Sequence, residues 1–187
     1  MTAAQPLEVH LPGRALTLDD VAELAAADEL HRYELDEGNL LVMPPADAEH
    51  AAIITGLLVW LVTNGHDRNR VLSTPGVKIS ERSSGRSPDL VLLRRSVGRT
   101  VWIDPIDVAL VVEIVSEGSK KLDRMVKPSE YAQVGIAHYW RVEGGEGLSP
   151  TVHMYTLGAG EDGEPAYIGH RAVLLDELLA GRPEGVI

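Results

Sequence analysis

The run Asp107-Val108-Ala109-Leu110-Val111-Val112-Glu113-Ile114-Val115 reads as a buried β-strand with one carboxylate set near its end. A near-continuous apolar run of this length belongs in a sheet covered on both faces. A charge inside it is costly to bury unless it is paired or holds a metal. The same pattern occurs upstream, where Asp89 heads Leu90-Val91-Leu92-Leu93. Two such carboxylates on consecutive strands imply a central sheet and a shared acidic site of the kind a divalent cation occupies.

The remaining pattern supplies layers around that sheet. Thr17-Leu18-Asp19-Asp20 starts a helix, with Thr17 as cap and acidic residues in the first turn. It runs to about His31, with Leu18, Val21, Leu24 and Ala25 on one face. Arg32-Tyr33-Glu34-Leu35 and Leu40-Leu41-Val42-Met43 flank Asp36-Glu37-Gly38-Asn39, a hairpin signature closed by Pro44-Pro45. A second helix follows from about Asp47 to Asn64, with Ile53, Ile54, Leu57, Leu58, Leu61 and Val62 at helical spacing. Strands are expected over residues 70–73, 76–80, 89–93, 108–115, 137–142 and 151–157. A helical stretch from about Pro128 to Val134, ended by Gly135, separates the fourth from the fifth. A polar loop over 158–164 precedes a last short strand and a helix near 174–179. No repeat, low-complexity block or linker appears, so residues 1–187 are expected to form a single domain with its core at about 17–157. The class is α/β, a mixed β-sheet (α+β) flanked by helices, with an N-terminal helix and hairpin.

The chain contains no Cys, which removes disulfides, thiolate zinc sites and cysteine nucleophiles. The first residues carry neither a basic start nor an apolar core, and the longest apolar stretch, 53–62, is too short to span a bilayer. The expectation is a soluble, cytoplasmic protein with no membrane partner. A net charge of −11 argues against a general nucleic-acid binder, because phosphate contacts need Lys and Arg. The distribution softens that argument. Residues 78–127 hold ten of the 17 basic residues, including all four Lys, against seven acidic ones. The window that contains both carboxylates is therefore the one able to attract a polyanion.

Pro88-Asp89, then Glu113-Ile114-Val115-Ser116, then Ser119, Asp123, Lys127 and Tyr131, continue into Gly135-Ile136-Ala137-His138-Tyr139-Trp140-Arg141-Val142. Together with Arg32-Tyr33-Glu34-Leu35 to Pro44-Pro45 and Glu49-His50, this ordered series resembles the PD-(D/E)XK nuclease superfamily. Within it, the chain is most similar to a widespread bacterial family of restriction-endonuclease-like domains of unknown function, over residues 17–157. The resemblance implies a restriction-endonuclease-like core and Mg²⁺-dependent (or Mn²⁺-dependent) hydrolysis of DNA. Asp89 and Glu113 would bind the metal, and Glu49 or His50, opening the second helix, would assist. Val115 stands where the superfamily places its lysine, and the resembling family moves that lysine to the following helix, at the position of Lys127. Because the residue before proline avoids helical geometry, that helix is expected to start at Pro128, with Lys127 at its entrance.

Each assignment has a plainer counterpart. Asp89 and Glu113 also fit a buried pair bound to backbone or Arg, Lys127 an exposed cation near a cap, and Glu49 a residue complementing the helix dipole. Lys120 and Lys121 are weaker rivals for the lysine. His50 also fits a helix-start residue bonded to backbone, and His138 a strand residue packing an edge. Asp107, Glu117 and Asp123 read as solvated or locally bonded groups, and Ser116 and Ser119 as loop residues without a nucleophile elbow. With no Phe, three Trp and five Tyr, a base-stacking platform finds little support. Three functions share these carboxylates: an endonuclease, a catalytically inactive nuclease-like binding or dimerisation module, and a hydrolase of small phosphate esters. A homodimer is expected, since nucleases that cut both strands work as symmetric pairs.

Overall fold

The structure, a computed structural model, describes residues 13–28, 31–116, 118–145 and 148–181. Helix α1 spans Leu18–Ala27. Thr17 accepts the Asp20 amide, and the Asp20 carboxylate reaches back to the Thr17 N–H at 2.7 Å, a closed capping box. The helix ends before the expected His31 because Asp28 turns extended. Its buried carboxylate receives the Tyr33 hydroxyl and lies 2.6 Å from His31 Nδ1.

Strands β1 (Arg32–Asp36) and β2 (Asn39–Met43) form the expected hairpin, turned by Glu37 and Gly38, both at positive φ. Helix α2 covers Ala48–Thr63, with the Asp47 carboxylate capping the His50 amide. There follow β3 (Val71–Ser73), β4 (Gly76–Lys78), β5 (Gly85–Arg86), β6 (Leu90–Leu93), β7 (Trp102–Ile103) and β8 (Val108–Val115). A π-helical turn, Leu122–Val126, leads directly into α3 (Lys127–Gln133). The chain closes with β9 (His138–Gly145), β10 (Leu148–Ala159), β11 (Pro165–Leu174) and α4 (Leu175–Ala180).

These strands form two mixed sheets rather than one. The larger has the order β11-β10-β9-β8-β6-β3, with only β8 and β9 parallel, and the smaller runs β2-β1-β5-β4-β7. Strands β5 and β7 are two residues each, too short to leave a periodic trace. The last strand is long, not short: β11 pairs with β10 back to Ala159↔Pro165, shrinking the expected loop.

Period-two alternation assigns the faces of the larger sheet. Leu90, Leu92, Leu110, Val112 and Ile114 join Ile53, Leu57, Trp60 and Leu61 of α2 and Leu178 of α4 in one core. Each large apolar side chain sequestered there contributes about 1.5–3 kcal/mol. The opposite face, with Val91, Leu93, Val111 and Tyr139, packs against Tyr131 of α3 and against Val77 and Ile103 of the smaller sheet. His138 therefore lies on an interior strand, between β8 and β10, and not at an edge. Helix α1 closes the smaller sheet around Leu18, Val21, Tyr33, Leu35 and Trp102. Among the described residues no helix is long and apolar enough to cross a membrane.

Candidate active site

The register of β6 against β8 pairs Leu90 with Val112 and Val91 with Val111. Asp89 and Glu113 therefore stand side by side one step further on, on the face that carries Val91 and Val111. The Ile114 amide donates to Asp89 Oδ2 at 2.8 Å, which ties the two strand ends together at that point. Both carboxylates are buried, and they line a cleft of about 240 Å³ with Arg32, His50, Ser116, Ser119, Asp123 and Lys127.

Lys127 does not wait at a helix entrance. It has helical backbone angles and is the first residue of α3, with its side chain buried at 3 % exposure. Its ammonium lies 3.1 Å from Glu113 Oε1, 3.2 Å from Glu34 Oε1 and 3.3 Å from Asp123 Oδ1. Asp123, expected to be solvated or locally bonded, is buried in this group. Glu113 Oε1 also accepts the Tyr131 hydroxyl at 2.7 Å. Asp107 is likewise held, by the Arg95 guanidinium at 2.5 Å, while Glu117 lies outside the described residues.

Charge in this pocket is unbalanced. Burial, only partly offset by Lys127, pushes Glu113 up to about 8, with Asp89, Asp123 and Glu34 adding repulsion. Burial also raises Asp123. Lys127 is raised despite burial, because three carboxylates hold its proton. Asp89 moves the other way: burial opposes its charge, yet it is lowered by His50, the Ile114 amide and Arg32. His50 Nε2 sits 2.9 Å from Asp89 Oδ1, and this bond raises the imidazole pKa. One carboxylate is thus ready as an anion, and its neighbour favours a proton.

The structure brings together Asp89, Glu113, Lys127 and His50. Glu49 is exposed in the first turn of α2 and does not line the cleft, and Lys120 and Lys121 are exposed. Ser116 and Ser119 bond to each other, hydroxyl to hydroxyl at 3.0 Å. Two site residues escaped the sequence analysis, both on β1. Arg32 Nη1 lies 3.4 Å from Asp89 Oδ1. Glu34 is 1 % exposed, takes the Ser87 amide at 3.1 Å, and stands 3.6 Å from the Arg86 guanidinium. The available signal was alternation: Tyr33 and Leu35 face the apolar core of the smaller sheet, so Arg32, Glu34 and Asp36 must share the other face.

The donor set fits a hard divalent cation. Asp89 and Glu113 offer carboxylate oxygens to one cleft, and Mg²⁺ typically needs only one or two carboxylates, filling its shell with water and phosphate oxygens. Among the described residues no group of three or more His, Cys, Asp or Glu is placed to hold a metal ion, so a cation here would rest on this carboxylate pair with water and phosphate oxygens.

A family model, Uma2, with the description "Putative restriction endonuclease", matches residues 18–182. Among solved structures, "a putative nuclease belonging to DUF820 from Anabaena variabilis ATCC 29413" is similar in fold, with a TM-score of 0.61 at 13 % identity. The match covers 88 % of this chain and 98 % of that one. No curated protein matches the chain.

Proposed function

The chain belongs to the Uma2 family, and on that premise we propose that it hydrolyses phosphodiester bonds in DNA, with Asp89 and Glu113 holding Mg²⁺ or Mn²⁺. The observation that carries this reading is the placement of Asp89 and Glu113 on paired strand ends, with the Lys127 ammonium 3.1 Å from Glu113, along one open cleft. A divalent cation held there supplies an acidified water and neutralises charge at the phosphorus.

The chain's own residues do the rest. Asp89 and Glu113 would hold the cation, Asp89 being kept anionic by His50, the Ile114 amide and Arg32. Lys127, fixed by Glu34 and Asp123, presents a permanent positive charge that orients the attacking water and offsets charge developing on the phosphate. His50 and Arg32 both contact Asp89. Both donors line the cleft and would be placed to bind the phosphate, Arg32 by its fork of N–H groups.

Plasmid DNA incubated with the purified protein is expected to be cut with Mg²⁺ or Mn²⁺ and left intact with a chelator. Asp89→Asn and Glu113→Gln are expected to abolish cutting and to weaken Mn²⁺ binding measured by calorimetry. A wild-type protein that binds no divalent cation, or Asp89→Asn that still cuts, would overturn the proposal.

A further inference from the structure

Thr74 holds a backbone conformation that its own chemistry opposes. Its φ is +52°, and among the described residues Glu37 is the only other residue besides glycine at positive φ. Glu37 sits beside Gly38 in the β1–β2 turn, where hairpin geometry asks for it. Thr74 has no such hairpin to serve, since β3 and β4 lie in different sheets. It is branched at Cβ, which makes a left-handed backbone an outlier. It also precedes Pro75, which drives the residue before it toward extended geometry. Two local preferences are overridden at one position.

The topology shows what overrides them. Strand β3 ends at Ser73 in the larger sheet and β4 starts at Gly76 in the smaller one, so Thr74 and Pro75 alone carry the chain across. The chain crosses back through Ser87, Pro88 and Asp89, between the end of β5 at Arg86 and the start of β6 at Leu90. The two crossings are bonded to each other. The Thr74 amide donates to Asp89 O at 3.0 Å, extending the Ser73↔Leu90 pairing by one step, and the Ser87 hydroxyl donates to Thr74 O at 3.3 Å. Asp89 thus stands at the seam between the sheets, with its main chain fastened to the strained residue. Its carboxylate takes the Ile114 amide on Oδ2 and meets His50 and Arg32 on Oδ1.

We propose that Thr74 is a positioning residue for Asp89: its stiff, left-handed crossing fixes the main chain of residues 87–89, so that one Asp89 oxygen stays on the Ile114 amide and the other faces the cleft. The proposal rests on Asp89 being a metal ligand, as argued above. Backbone strain persists only where the surrounding structure over-determines it, and it collects at functional sites. Threonine allows this crossing few alternatives, whereas glycine would fit without strain and allow many. The chain gives up stability at a turn that sets the main chain of a ligand.

Thr74→Gly separates strain from placement. Relief of strain offsets the freedom that glycine gives the unfolded chain, so the variant is expected to melt no lower than the wild type. Amide exchange at Ile114, whose acceptor is the Asp89 carboxylate, is expected to quicken at least about tenfold, a reporter that needs no activity. Mn²⁺ is expected to bind about tenfold more weakly, and kcat for DNA to fall about tenfold or more at unchanged KM. Thr74→Val, which keeps the branched Cβ and loses the hydroxyl, is expected to stay within about twofold of the wild type in exchange, Mn²⁺ affinity and kcat. Thr74→Gly with wild-type exchange at Ile114, or with quickened exchange but wild-type Mn²⁺ affinity and kcat, overturns the proposal. So does a lower melting temperature with exchange quickened throughout β6 and β8, which marks a merely structural turn. Thr74→Val behaving as Thr74→Gly overturns it too, because the hydroxyl would then be the working group. A wild type that neither binds Mn²⁺ nor cuts defeats the metal reading alone, and exchange at Ile114 still decides what holds Asp89.

Discussion

Lys127 and Asp123 face each other at 3.3 Å across one helical turn, although a proline follows the lysine. Proline lacks an N–H for the carbonyl four residues back, here Arg124, and its ring presses on that carbonyl. The chain widens into a π-turn instead, and the Lys127 amide bonds to Leu122 O, five residues back. Insertions of this kind recur at functional sites. Here the widened turn keeps Lys127 helical and aims it at the carboxylates.

That geometry predicts the effect of Lys127→Met. Glu34, Glu113 and Asp123 would lose their common cation while staying buried, which typically costs about 3–5 kcal/mol. Denaturant unfolding should show a loss of that size, together with loss of any DNA cleavage. A change under about 1 kcal/mol would mean that water reaches the three carboxylates.

Glu113 sets a pH dependence with a definite sign. Its folded-state pKa is raised from 4.5 to about 8, so its stabilising contribution is complete below the unfolded value and is lost as pH rises toward about 8. The slope from one such group is at most about 1.4 kcal/mol per pH unit. Thermal melts in chelator across that window should fall with pH for the wild type. Glu113→Gln should flatten the profile, and an unchanged slope would assign the dependence to other groups.

Arg86 joins the smaller sheet to α3 through charge. It is fully buried, with Asp36 at 2.9 Å, Glu130 of α3 at 2.5 and 2.7 Å, and Glu34 at 3.6 Å. Arg86→Met should cost about 3–5 kcal/mol, because it strands carboxylates that the fold keeps close together. Equilibrium unfolding measures this directly.

Gly76 admits no side chain. A Cβ there would stand 2.4 Å from Val101 O and 2.7 Å from the Trp102 ring, in the parallel pairing of β4 with β7. Gly76→Ala should destabilise by about 1–3 kcal/mol. Gly98→Ala, where nothing lies within 4 Å, should stay within about 0.5 kcal/mol of wild type.

The elements that bury a regular face were legible from local pattern. Strand β8 was read with its observed bounds, α2 within one residue at each end, and the hairpin with its turn, because periodicity and capping are short-range properties. Asp89 and Glu113 stood out for the same reason, as charges inside apolar runs. Tertiary structure decided what those charges meet. Glu34 and Lys127 are far apart in sequence, as are Arg32 and Asp89, and an ion pair between distant elements leaves no periodic trace. The burial of Lys127 and Asp123 depended on a π-turn that relieves a proline, which spacing alone does not reveal. The stack of Tyr139, Tyr155 and Tyr167 needed three adjacent strands to align before scattered rings came together. A chain's own pattern determines which face of each element turns inward; only the packed fold determines which faces meet.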